Sequence, residues 1–540
     1  MQSLIPLSLI LTIFDVVAYA VKLPLHVRTT RQPRSVGRRA NTTIPVSNYG
    51  NAEYYSNITI AGQEVSVLLD TGSSDLWVNF PDTTPTTTDT GKSLTLSYAI
   101  GSASGDIHTA SVEFYGYSIT SQAFLLVTDT SSFSTDIHSQ GYDGLMGLGP
   151  NEGSRVLDKL NSDSGDSVLT NIFSQVSNSS KFISFLLDRS GDPGSSITGQ
   201  LTISEYVEGY ENITSMPEID VEDVHKLLES EQHWQALTDK NNGVIGPDGE
   251  VIQTDSIVPK APDGQLVAVF DSGFTFTQVP RAMSDAIYGR VQGASYDSDN
   301  EWWTIPCGQL LNVSFNFGGQ NYPVHPLDTV DDNFDIKNAN GSRVCIGAFQ
   351  PITTAFSILG NYDMIMGMNF LRNTYTLMNY GNWVDDNAND PYLQLLSITN
   401  VEDAHTDFVN VRLGGSDTTS DTKWDLVSTA DMQHSPVSAE EKKKLYEEMI
   451  LSRWPYILAG CLAFILIIIG LIIWRCCCRR KGVKTANTAK KGLWFRKNKA
   501  ASTSYLPLQD QGMRDSSTVD VSVPYDPHTG HFGNAGYKAL

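Results

Sequence analysis

The chain has 540 residues and a formal net charge of −23 at pH 7, and this length suffices for two hydrophobic cores. Residues 40–474 carry 55 acidic and 19 basic side chains, whereas residues 475–540 carry 4 acidic and 12 basic ones. Such an acidic main part argues against a nucleic-acid partner and favours mildly acidic working conditions, in which carboxylates are partly protonated. The ten histidines show no HExxH pattern and the cysteines show no paired CxxC spacing, so we expect no zinc site and no cofactor.

The N-terminal residues indicate that a signal peptide and a propeptide are removed from the chain. Residues 1–20 contain a short apolar run that ends in Ala18-Tyr19-Ala20, which is typical of a secretory signal peptide. Residues 21–39 carry six Lys or Arg and no acidic residue. A solvated basic face would account for this charge, but its position and sign favour a propeptide that lies across an acidic cleft until it is removed.

Two similar stretches follow, VLLDTGS at residues 67–73 and VFDSGFT at residues 269–275. Each runs from apolar residues into an Asp, a small hydroxyl residue and a Gly, which predicts a buried strand ending in a turn that presents a carboxylate. A single such turn is usually just a solvated loop. Each copy, however, is followed by two apolar residues and a Gly, at 145–147 and 365–367, so the chain contains two related halves. We therefore predict a site at their junction, with one Asp from each half.

The pair Asp70 and Asp271 predicts a particular chemistry if the halves bring the two carboxyls together. Two carboxyls within hydrogen-bond distance share one proton, so the pair titrates as a unit with widely separated pKa values. The ionised member can take a proton from a water molecule while the protonated member polarises an amide carbonyl. Such a pair can hydrolyse an amide bond without a metal or a covalent nucleophile.

The motifs resemble those of the pepsin-like aspartic proteases and come in the order of that family. The resemblance spans roughly residues 45–400 and is carried by DTGSSDLW at 70–77, LSY at 96–98 with Gly101-Ser102, YDGLMGLG at 142–149, Trp234-Gln235, DSG at 271–273 and FLR at 370–372. It implies a mostly β, bilobal fold with a cleft between two related lobes. The peptidase domain would span residues 40–400, with lobes at about 45–200 and 201–400. The resemblance also implies processing at Arg38-Arg39.

The resemblance implies that Asp70 and Asp271 form the catalytic pair. The residues expected to support this pair are Thr71, Gly72, Ser73, Ser272 and Gly273. Thr71 and Ser272 would form a hydrogen-bonded grip beneath the pair, and Ser73 would orient Asp70. The flap that closes over a substrate would contain Tyr98, braced by Trp77, and Gly101.

Some positions depart from the family pattern. Phe274 stands where a Thr or Ser usually hydrogen-bonds the second Asp, and Met368 stands where an Asp is common. In the flap, Tyr98 is followed by Ala99 and Ile100, where the family usually has Gly and then a Thr or Ser, so a hydroxyl that contacts the substrate would be lost and the subsite preference altered. The departures near Asp271 leave an alternative open, namely a catalytically weak or inactive peptide-binding surface glycoprotein on the same fold.

The cysteines and sequons indicate a secretory route. Cys307 and Cys345 are the only cysteines before the apolar C-terminal run, and the resemblance implies that they form a disulfide, with two free thiols as the alternative. Six N-x-Ser/Thr sequons also precede this run, which favours glycosylation in a lumenal or extracellular part. They are Asn41, Asn57, Asn178, Asn212, Asn312 and Asn340.

The C-terminal part predicts a membrane anchor. Residues 401–453 are polar and predict a glycosylated or flexible stalk. Residues 455–474 carry no charge, are long enough to cross the hydrocarbon core as a helix and precede a basic cluster, so residues 475–540 would be cytoplasmic. In this tail, Cys476, Cys477 and Cys478 could be palmitoylated or remain thiols, and Tyr505 begins a Tyr-x-x-apolar pattern that could bind a sorting adaptor.

These patterns predict a single-pass type I membrane protein of the cell surface or of a vacuolar or endosomal membrane. Its expected activity is that of an aspartic endopeptidase that binds proteins or peptides as substrates. The peptidase domain would lie outside the cell or in an acidic lumen.

Overall fold

The computed structural model describes residues 43–480 apart from 99–100, 134–135, 177–180, 192–196, 225–230, 259, 339, 353–361, 386–387, 438–441, 444–445 and 447–452. The predicted signal peptide and propeptide lie outside the described residues, and so do residues 481–540 of the predicted tail. The same holds for Asn41, Asn178, Tyr505 and the side chains of Cys476, Cys477 and Cys478.

The first half consists mainly of strands. Its strands are β1 (Thr43–Pro45), β2 (Ser47–Tyr49), β3 (Glu53–Ile60), β4 (Gln63–Asp70), β5 (Leu76–Val78), β6 (Thr88–Tyr98), β7 (Gly101–Phe114), β8 (Tyr117–Asp129), β9 (Gly144–Gly147), β10 (Phe182–Leu186) and β11 (Gln200–Ile203). Two short helices, α1 (Arg155–Leu160) and α2 (Val168–Phe173), accompany them.

The second half has shorter strands. They are β12 (Ile219–Asp220), β13 (Gln235–Leu237), β14 (Val244–Ile245), β15 (Val267–Phe270), β16 (Thr277–Val279), β17 (Ser295–Asp297), β18 (Trp302–Ile305), β19 (Val313–Phe317), β20 (Gln320–Val324), β21 (Val330–Asp331), β22 (Cys345–Gly347), β23 (Phe349–Pro351), β24 (Met364–Met366), β25 (Thr374–Asn379) and β26 (Tyr392–Ser397). The helices are α3 (Arg281–Tyr288), α4 (Pro326–Thr329), α5 (Met368–Leu371), α6 (Val401–Leu413) and α7 (Trp454–Arg480).

An eight-stranded sheet organises the first half, with the strand order β2-β3-β4-β9-β5-β8-β7-β6. Every second residue of β3 is buried, as expected when one face of a strand covers a core. The central strand β9 is buried along its whole length because it is paired on both sides. The predicted alternation of buried and exposed residues is therefore present where the sheet has an open face.

The duplicated sequence pattern corresponds to a duplicated group of four strands. In the first half, β4 is parallel to β9, β9 is antiparallel to β5, and β5 is parallel to β8. In the second half, β15, β24, β16 and β23 repeat the same directions in the same order. In each half, the strand that leads to the Asp lies beside the strand that carries the second apolar signature.

A six-stranded sheet joins the halves, with the order β1-β11-β10-β25-β26-β12. Three neighbouring strands come from the first half and three from the second, and all six residues of β25 are buried. Because the boundary between the halves runs through a hydrogen-bonded sheet, the halves share one continuous element. The predicted mostly β architecture with two related halves is confirmed.

The segment after residue 400 differs from the flexible stalk that its polar composition predicts. Asn400 caps α6 by accepting hydrogen bonds from the N–H groups of Glu402 and Asp403, and Phe408 of this helix is fully buried. Phe408 and Ala404 are two of only three buried residues in α6, so the apolar periodicity is too sparse to reveal a docked helix.

Residues 422–437, named the strap here, also pack on the second half. The backbone N–H of Val427 donates to the Arg290 carbonyl at 2.8 Å, and that of Gln433 donates to the Gly289 carbonyl at 2.9 Å. The Ser435 hydroxyl donates to the buried Asp285 carboxylate at 2.6 Å. Hydrogen bonds therefore hold this polar segment, which explains why its composition gives no sign of packing.

Helix α7 is the one long apolar helix among the described residues. Its stretch Tyr456–Arg475 has a mean hydropathy of 3.0 and a length that can cross a hydrocarbon core. This stretch agrees with the predicted membrane segment to within one residue at each end.

Candidate active site

Asp70 is the last residue of β4, and Asp271 directly follows β15. The turns that follow the two strands are hydrogen-bonded to each other. The Thr71 N–H donates to the Ser272 hydroxyl at 3.0 Å, and the Ser272 N–H donates to the Thr71 hydroxyl at 2.9 Å. Each hydroxyl in turn donates to the opposite half, Thr71 to the Phe270 carbonyl at 2.9 Å and Ser272 to the Leu69 carbonyl at 2.7 Å. These four hydrogen bonds fix the two turns against each other, as the resemblance implied.

The carboxyl of Asp70 is held by donors of its own turn. The Gly72 N–H donates to Oδ1 at 2.9 Å, and the Ser73 hydroxyl donates to Oδ2 at 2.5 Å. Both oxygens of this carboxyl therefore accept a hydrogen bond from its own turn. Ser73 thus has the orienting contact that the sequence predicts.

Asp271 is buried and hydrogen-bonds the Asp70 side chain. Burial, and then the negative charge of Asp70, raise the pKa of Asp271 well above its usual value. The Gly273 N–H donates to its Oδ1 at 2.7 Å. The two carboxyls are therefore a closely coupled pair in which the geometry favours a single shared proton.

The glycines of both turns leave the space that this pair occupies. A Cβ atom at Gly273 would lie 2.5 Å from Asp70 Oδ1, and a Cβ atom at Gly72 would overlap the Asp271 carboxylate. Each glycine thus makes room for the Asp of the opposite half.

The position three residues after each Asp distinguishes the halves. Ser73 hydrogen-bonds Asp70, whereas Phe274 offers only its backbone, and its carbonyl accepts from the Met368 N–H at 2.8 Å. The next hydroxyl, that of Thr275, donates to the Ala52 carbonyl at 2.9 Å instead. Among the described residues, no side-chain hydroxyl hydrogen-bonds Asp271.

Met368 is buried at the start of α5 and lies over this second turn. Its side chain supplies bulk where the family commonly has a carboxylate. Neither Phe274 nor Met368 offers Asp271 a polar side chain, as the departures from the family pattern at these two positions implied.

The predicted flap is the hairpin of β6 and β7, in which Tyr98 pairs with Gly101. The Tyr98 and Trp77 rings lie 6.3 Å apart, and Trp77 stacks on Phe133 at 5.8 Å. Gly101 has a φ of 152°, and a Cβ atom there would lie 3.1 Å from the Phe133 backbone. The tip, Ala99 and Ile100, falls outside the described residues.

The Tyr98 hydroxyl is close to the polar groups of the site. Burial, and then the charges of Asp75 and Asp70, raise the pKa of Tyr98 well above 10. Interactions of its hydroxyl with the Trp77 indole N–H and the Ser73 hydroxyl lower this pKa by a smaller amount. The buried Trp77 N–H has no hydrogen-bond partner of ordinary geometry in the described part of the chain. Tyr98 therefore remains a neutral phenol throughout the acidic and neutral range.

Sequence reasoning missed His233, which lies beside the pair. Its Nδ1 is 3.1 Å from the Gly72 carbonyl oxygen, so Nδ1 carries the proton and donates. Burial lowers the pKa of His233, which favours the neutral imidazole. The ring meets Tyr362 edge-on at 6.1 Å. The only available signal was its place directly before the Trp234-Gln235 motif.

Glu53 is a second residue that the sequence did not single out. Its position at the start of β3 gave no signal, because a charged residue is ordinary at the end of a strand. Burial raises the pKa of Glu53 to about 8, so the carboxyl is protonated under mildly acidic conditions.

The expected disulfide is present. Cys307 and Cys345 are bonded, with their Cα atoms 5.0 Å apart. The sequons that fall on described residues, Asn57, Asn212, Asn312 and Asn340, are all exposed. Among the described residues, no three His, Cys, Asp or Glu side chains group as metal ligands would.

Known proteins with similar sequences cover about two thirds of the chain. The "Major aspartyl peptidase 1" of Cryptococcus neoformans is 27% identical over 381 residues, which cover 65% of this chain and 71% of that protein. Pepsin A of Sus scrofa is 26% identical over 359 residues, covering 63% of this chain and 81% of its own. Cathepsin D of Dictyostelium discoideum is 25% identical over 410 residues, covering 69% and 96%.

A sequence model of a whole protein family gives the same assignment as these relatives. The model of the eukaryotic aspartyl proteases matches residues 53–384, which contain both Asp turns, the flap hairpin and the grip between the halves. The chain belongs to the eukaryotic aspartyl protease family and is a pepsin-like aspartic-type endopeptidase.

Proposed function

We propose that Asp70 and Asp271 are the catalytic pair and cleave peptide bonds through a water molecule bound between them. The single observation that carries this proposal is the hydrogen-bonded contact of two carboxyls held by four reciprocal bonds of Thr71 and Ser272. The donors from Gly72 and Ser73 stabilise a negative charge on Asp70, and burial favours a proton on Asp271.

The reaction follows from this division of charge. Asp70 takes a proton from the water molecule as its oxygen bonds to the amide carbon, and Asp271 gives its proton to the carbonyl oxygen. The tetrahedral intermediate then breaks its carbon–nitrogen bond, and the leaving nitrogen receives the proton that Asp70 had accepted. Asp271 recovers its proton from the intermediate, so the pair ends with the one proton with which it began.

Substrates of this site are stretches of protein or peptide chain. The hairpin of β6 and β7 carries Tyr98 next to the pair, where a closing flap would exclude water from the bound chain. Thr71, Gly72, Ser73, Ser272 and Gly273 shape the turns, and Tyr98, Trp77 and Gly101 shape the flap.

We further propose that the protein is tethered to a membrane with its peptidase domain outside the cell or in an acidic lumen. Support comes from the apolar stretch Tyr456–Arg475, the basic residues after it and the exposed sequons before it. The lipid bilayer would be the partner of this helix. An adaptor that reads Tyr505 would be a further partner of the cytoplasmic tail.

A second candidate, peptide binding with weak or no catalysis, is favoured by one observation. Phe274 leaves Asp271 without the hydroxyl partner that Ser73 gives to Asp70. Without this partner the Asp271 carboxyl is less firmly oriented towards a bound substrate, which would slow the proton transfer to the carbonyl oxygen.

The deciding test is cleavage of an unstructured protein by processed, detergent-solubilised full-length chain between pH 3 and 7, beside the variants Asp70→Asn and Asp271→Asn. We expect cleavage at acidic pH that pepstatin blocks and that both variants lose. Asn keeps the size of Asp but cannot act as the base or share the proton, so circular dichroism should show an unchanged fold. A folded, processed wild-type protein that cleaves nothing would leave the peptide-binding function as the better account.

A further inference from the structure

A threonine-rich loop leads into the outer strand of the eight-stranded sheet. Residues 81–90 have the sequence PDTTPTTTDT, with six threonines and two prolines. Residues 81–87 belong to no helix or strand, whereas Thr88 begins β6 and pairs with Thr109 of β7. Strand β6 stands at the end of the strand order. The loop therefore lies at a sheet edge, where a chain is open to proteases and to pairing with other strands.

The threonines of this loop fall into two groups. The Thr87 hydroxyl lies 2.8 Å from Nδ1 of His108, and the Thr90 hydroxyl donates to the Ile107 carbonyl at 2.7 Å. The side chains of the other group are exposed, and their hydroxyls hydrogen-bond no other described residue; they are Thr83, Thr84 and Thr86. The second group thus adds no hydrogen bond to the described fold, and its hydroxyls are accessible to an external enzyme.

A concavity beside the loop is lined with further hydroxyls. Its volume of about 430 Å³ lies in the range of sites for small ligands, and all its lining residues are Ala, Ser or Thr. Thr86 forms part of the wall on the side of the loop. Strands β7 and β8 contribute hydroxyls that have no partner among the described residues, namely those of Thr109, Ser111, Thr120 and Ser121. This surface offers hydrogen bonds without charge, which suits a neutral group that carries many hydroxyls.

We propose that Thr83, Thr84 and Thr86 are O-glycosylation sites and that the attached sugars lie over the hydroxyl-lined concavity. Segments rich in Thr and Pro are typical acceptors of O-linked sugars in secreted proteins. Sugars at these positions also cover the edge that the strand order leaves open. The inference rests on the proposed lumenal or extracellular position of the peptidase domain, and it does not depend on the catalytic activity.

The modification is a group transfer carried out by a separate glycosyltransferase. The co-substrate is a glycosyl phosphate donor, which supplies a hexose or an N-acetylhexosamine. The Thr hydroxyl oxygen bonds to the anomeric carbon of the sugar as the bond between that carbon and the donor's phosphate oxygen breaks. The phosphate leaves with the electron pair of the broken bond, and the hydroxyl proton passes to a base of the transferase. Nothing is oxidised or reduced.

The sequence around the loop permits a direct test. Chymotrypsin and trypsin together cleave after Trp77 and Lys92 and release residues 78–92, which contain no Ser and no N-x-Ser/Thr sequon. Any hexose or N-acetylhexosamine on this peptide is therefore linked to Thr. The full-length protein is purified in detergent from the membranes of a eukaryotic host, and mass spectrometry with electron-transfer fragmentation locates each added sugar. We expect sugars on the group of Thr83, Thr84 and Thr86 in most copies, and none on Thr87 or Thr90.

Two matched variants test the division into groups, because Val keeps the shape of Thr but lacks the hydroxyl. Replacing Thr83, Thr84 and Thr86 together by Val should abolish the added mass on residues 78–92. Replacing Thr87 and Thr90 together by Val should leave the added mass unchanged. Sugars found only on Thr87, Thr88 or Thr90 would overturn the assignment.

The exposed sequons distinguish the two ways in which the inference can fail. N-linked sugars at Asn57 or Asn212, together with an unmodified 78–92 peptide, would overturn the O-linked sites and leave the lumenal position intact. A chain that carries no sugar at all would overturn the lumenal position and this inference with it.

Discussion

The two halves of the molecule place their aspartates on the same backbone arrangement but surround them with different side chains. In both, four strands run in the same directions, a Thr or Ser joins the reciprocal grip, and a Gly N–H donates to the carboxyl. Only Asp70 also has a hydroxyl donor, because Phe274 replaces the counterpart of Ser73. The comparison teaches that the repeat fixes where the carboxyls lie, while single side chains around them set how their shared charge is distributed.

The strongest test of the common frame is to fill the space that each half leaves for the other. Gly72→Ala and Gly273→Ala should each lower kcat/KM by about a thousandfold or more, because a Cβ atom would displace the opposite carboxyl. Steady-state kinetics of both variants, with the fold checked by circular dichroism, would measure this. If one variant kept near-normal activity, the functional equivalence of the two turns would be wrong.

The difference between Ser73 and Phe274 can be tested by exchanging it. Ser73→Ala removes a donor to the ionised carboxyl and should shift the acid limb of the kcat/KM profile upward by about one pH unit. Phe274→Ser offers the ionised form of Asp271 a donor, which lowers the raised pKa of Asp271 and should shift the alkaline limb downward by about one pH unit at most. A pH–rate profile from pH 2 to 7 measures both shifts, and shifts of the same sign in the two variants would contradict this account.

Extending the pairing of β3 with β4 sets Glu53 opposite Asp70, and extending that of β13 with β15 sets His233 opposite Asp271. These two equivalent residues should give the two halves opposite pH dependences of stability. The raised pKa of Glu53, about 8 against an ordinary 4.5, means that its stabilising contribution is complete below pH 4.5 and is lost as the pH rises towards 8. The loss amounts to about 5 kcal/mol at most, since one pKa unit corresponds to about 1.4 kcal/mol. Denaturant unfolding should therefore show that Glu53→Gln gains stability relative to wild type between pH 5 and 8.

For His233 the sign is reversed. Its pKa is lowered, so its stabilising contribution is complete above pH 6.5 and is lost as the pH falls through the lowered value. The variant His233→Gln should lose less stability than wild type on acidification below pH 6. Unfolding curves that move in parallel for both variants would show that the two positions are not electrostatic counterparts.

The strap is present only on the second half and should give the smallest effect. Ser435→Ala removes the hydroxyl bond to Asp285 and should destabilise the packed strap by about 1 kcal/mol. Hydrogen exchange should then increase within residues 422–437 and hardly change in β3 or β4. Equal increases in both halves would mean that the strap contributes to global stability instead.

The sequence was most informative where the chain repeats itself. The two Asp turns, their second signatures and the grip of Thr71 and Ser272 could be anticipated, because each follows from a local pattern and the family resemblance. The disulfide of Cys307 and Cys345 was expected on the same ground.

Other features depend on contacts that no local pattern encodes. Helix α6 and the strap are held by caps and by bonds such as Ser435 to Asp285, which leave no hydrophobic period in a polar segment. The positions of Glu53 and His233 beside the two aspartates arise from strand register over long chain separations, and the depth at which each is buried is a property of the folded structure.

The six-stranded sheet has a consequence for how the protein is made. When β1, β10 and β11 have left the ribosome, the edge of β10 that will pair with β25 is still open, because Thr374–Asn379 is synthesised much later. The nascent first half thus carries an unprotected strand edge during most of the translation of the second. Correct folding of the first half therefore depends on chaperones that cover this edge or on how quickly the ribosome delivers β25.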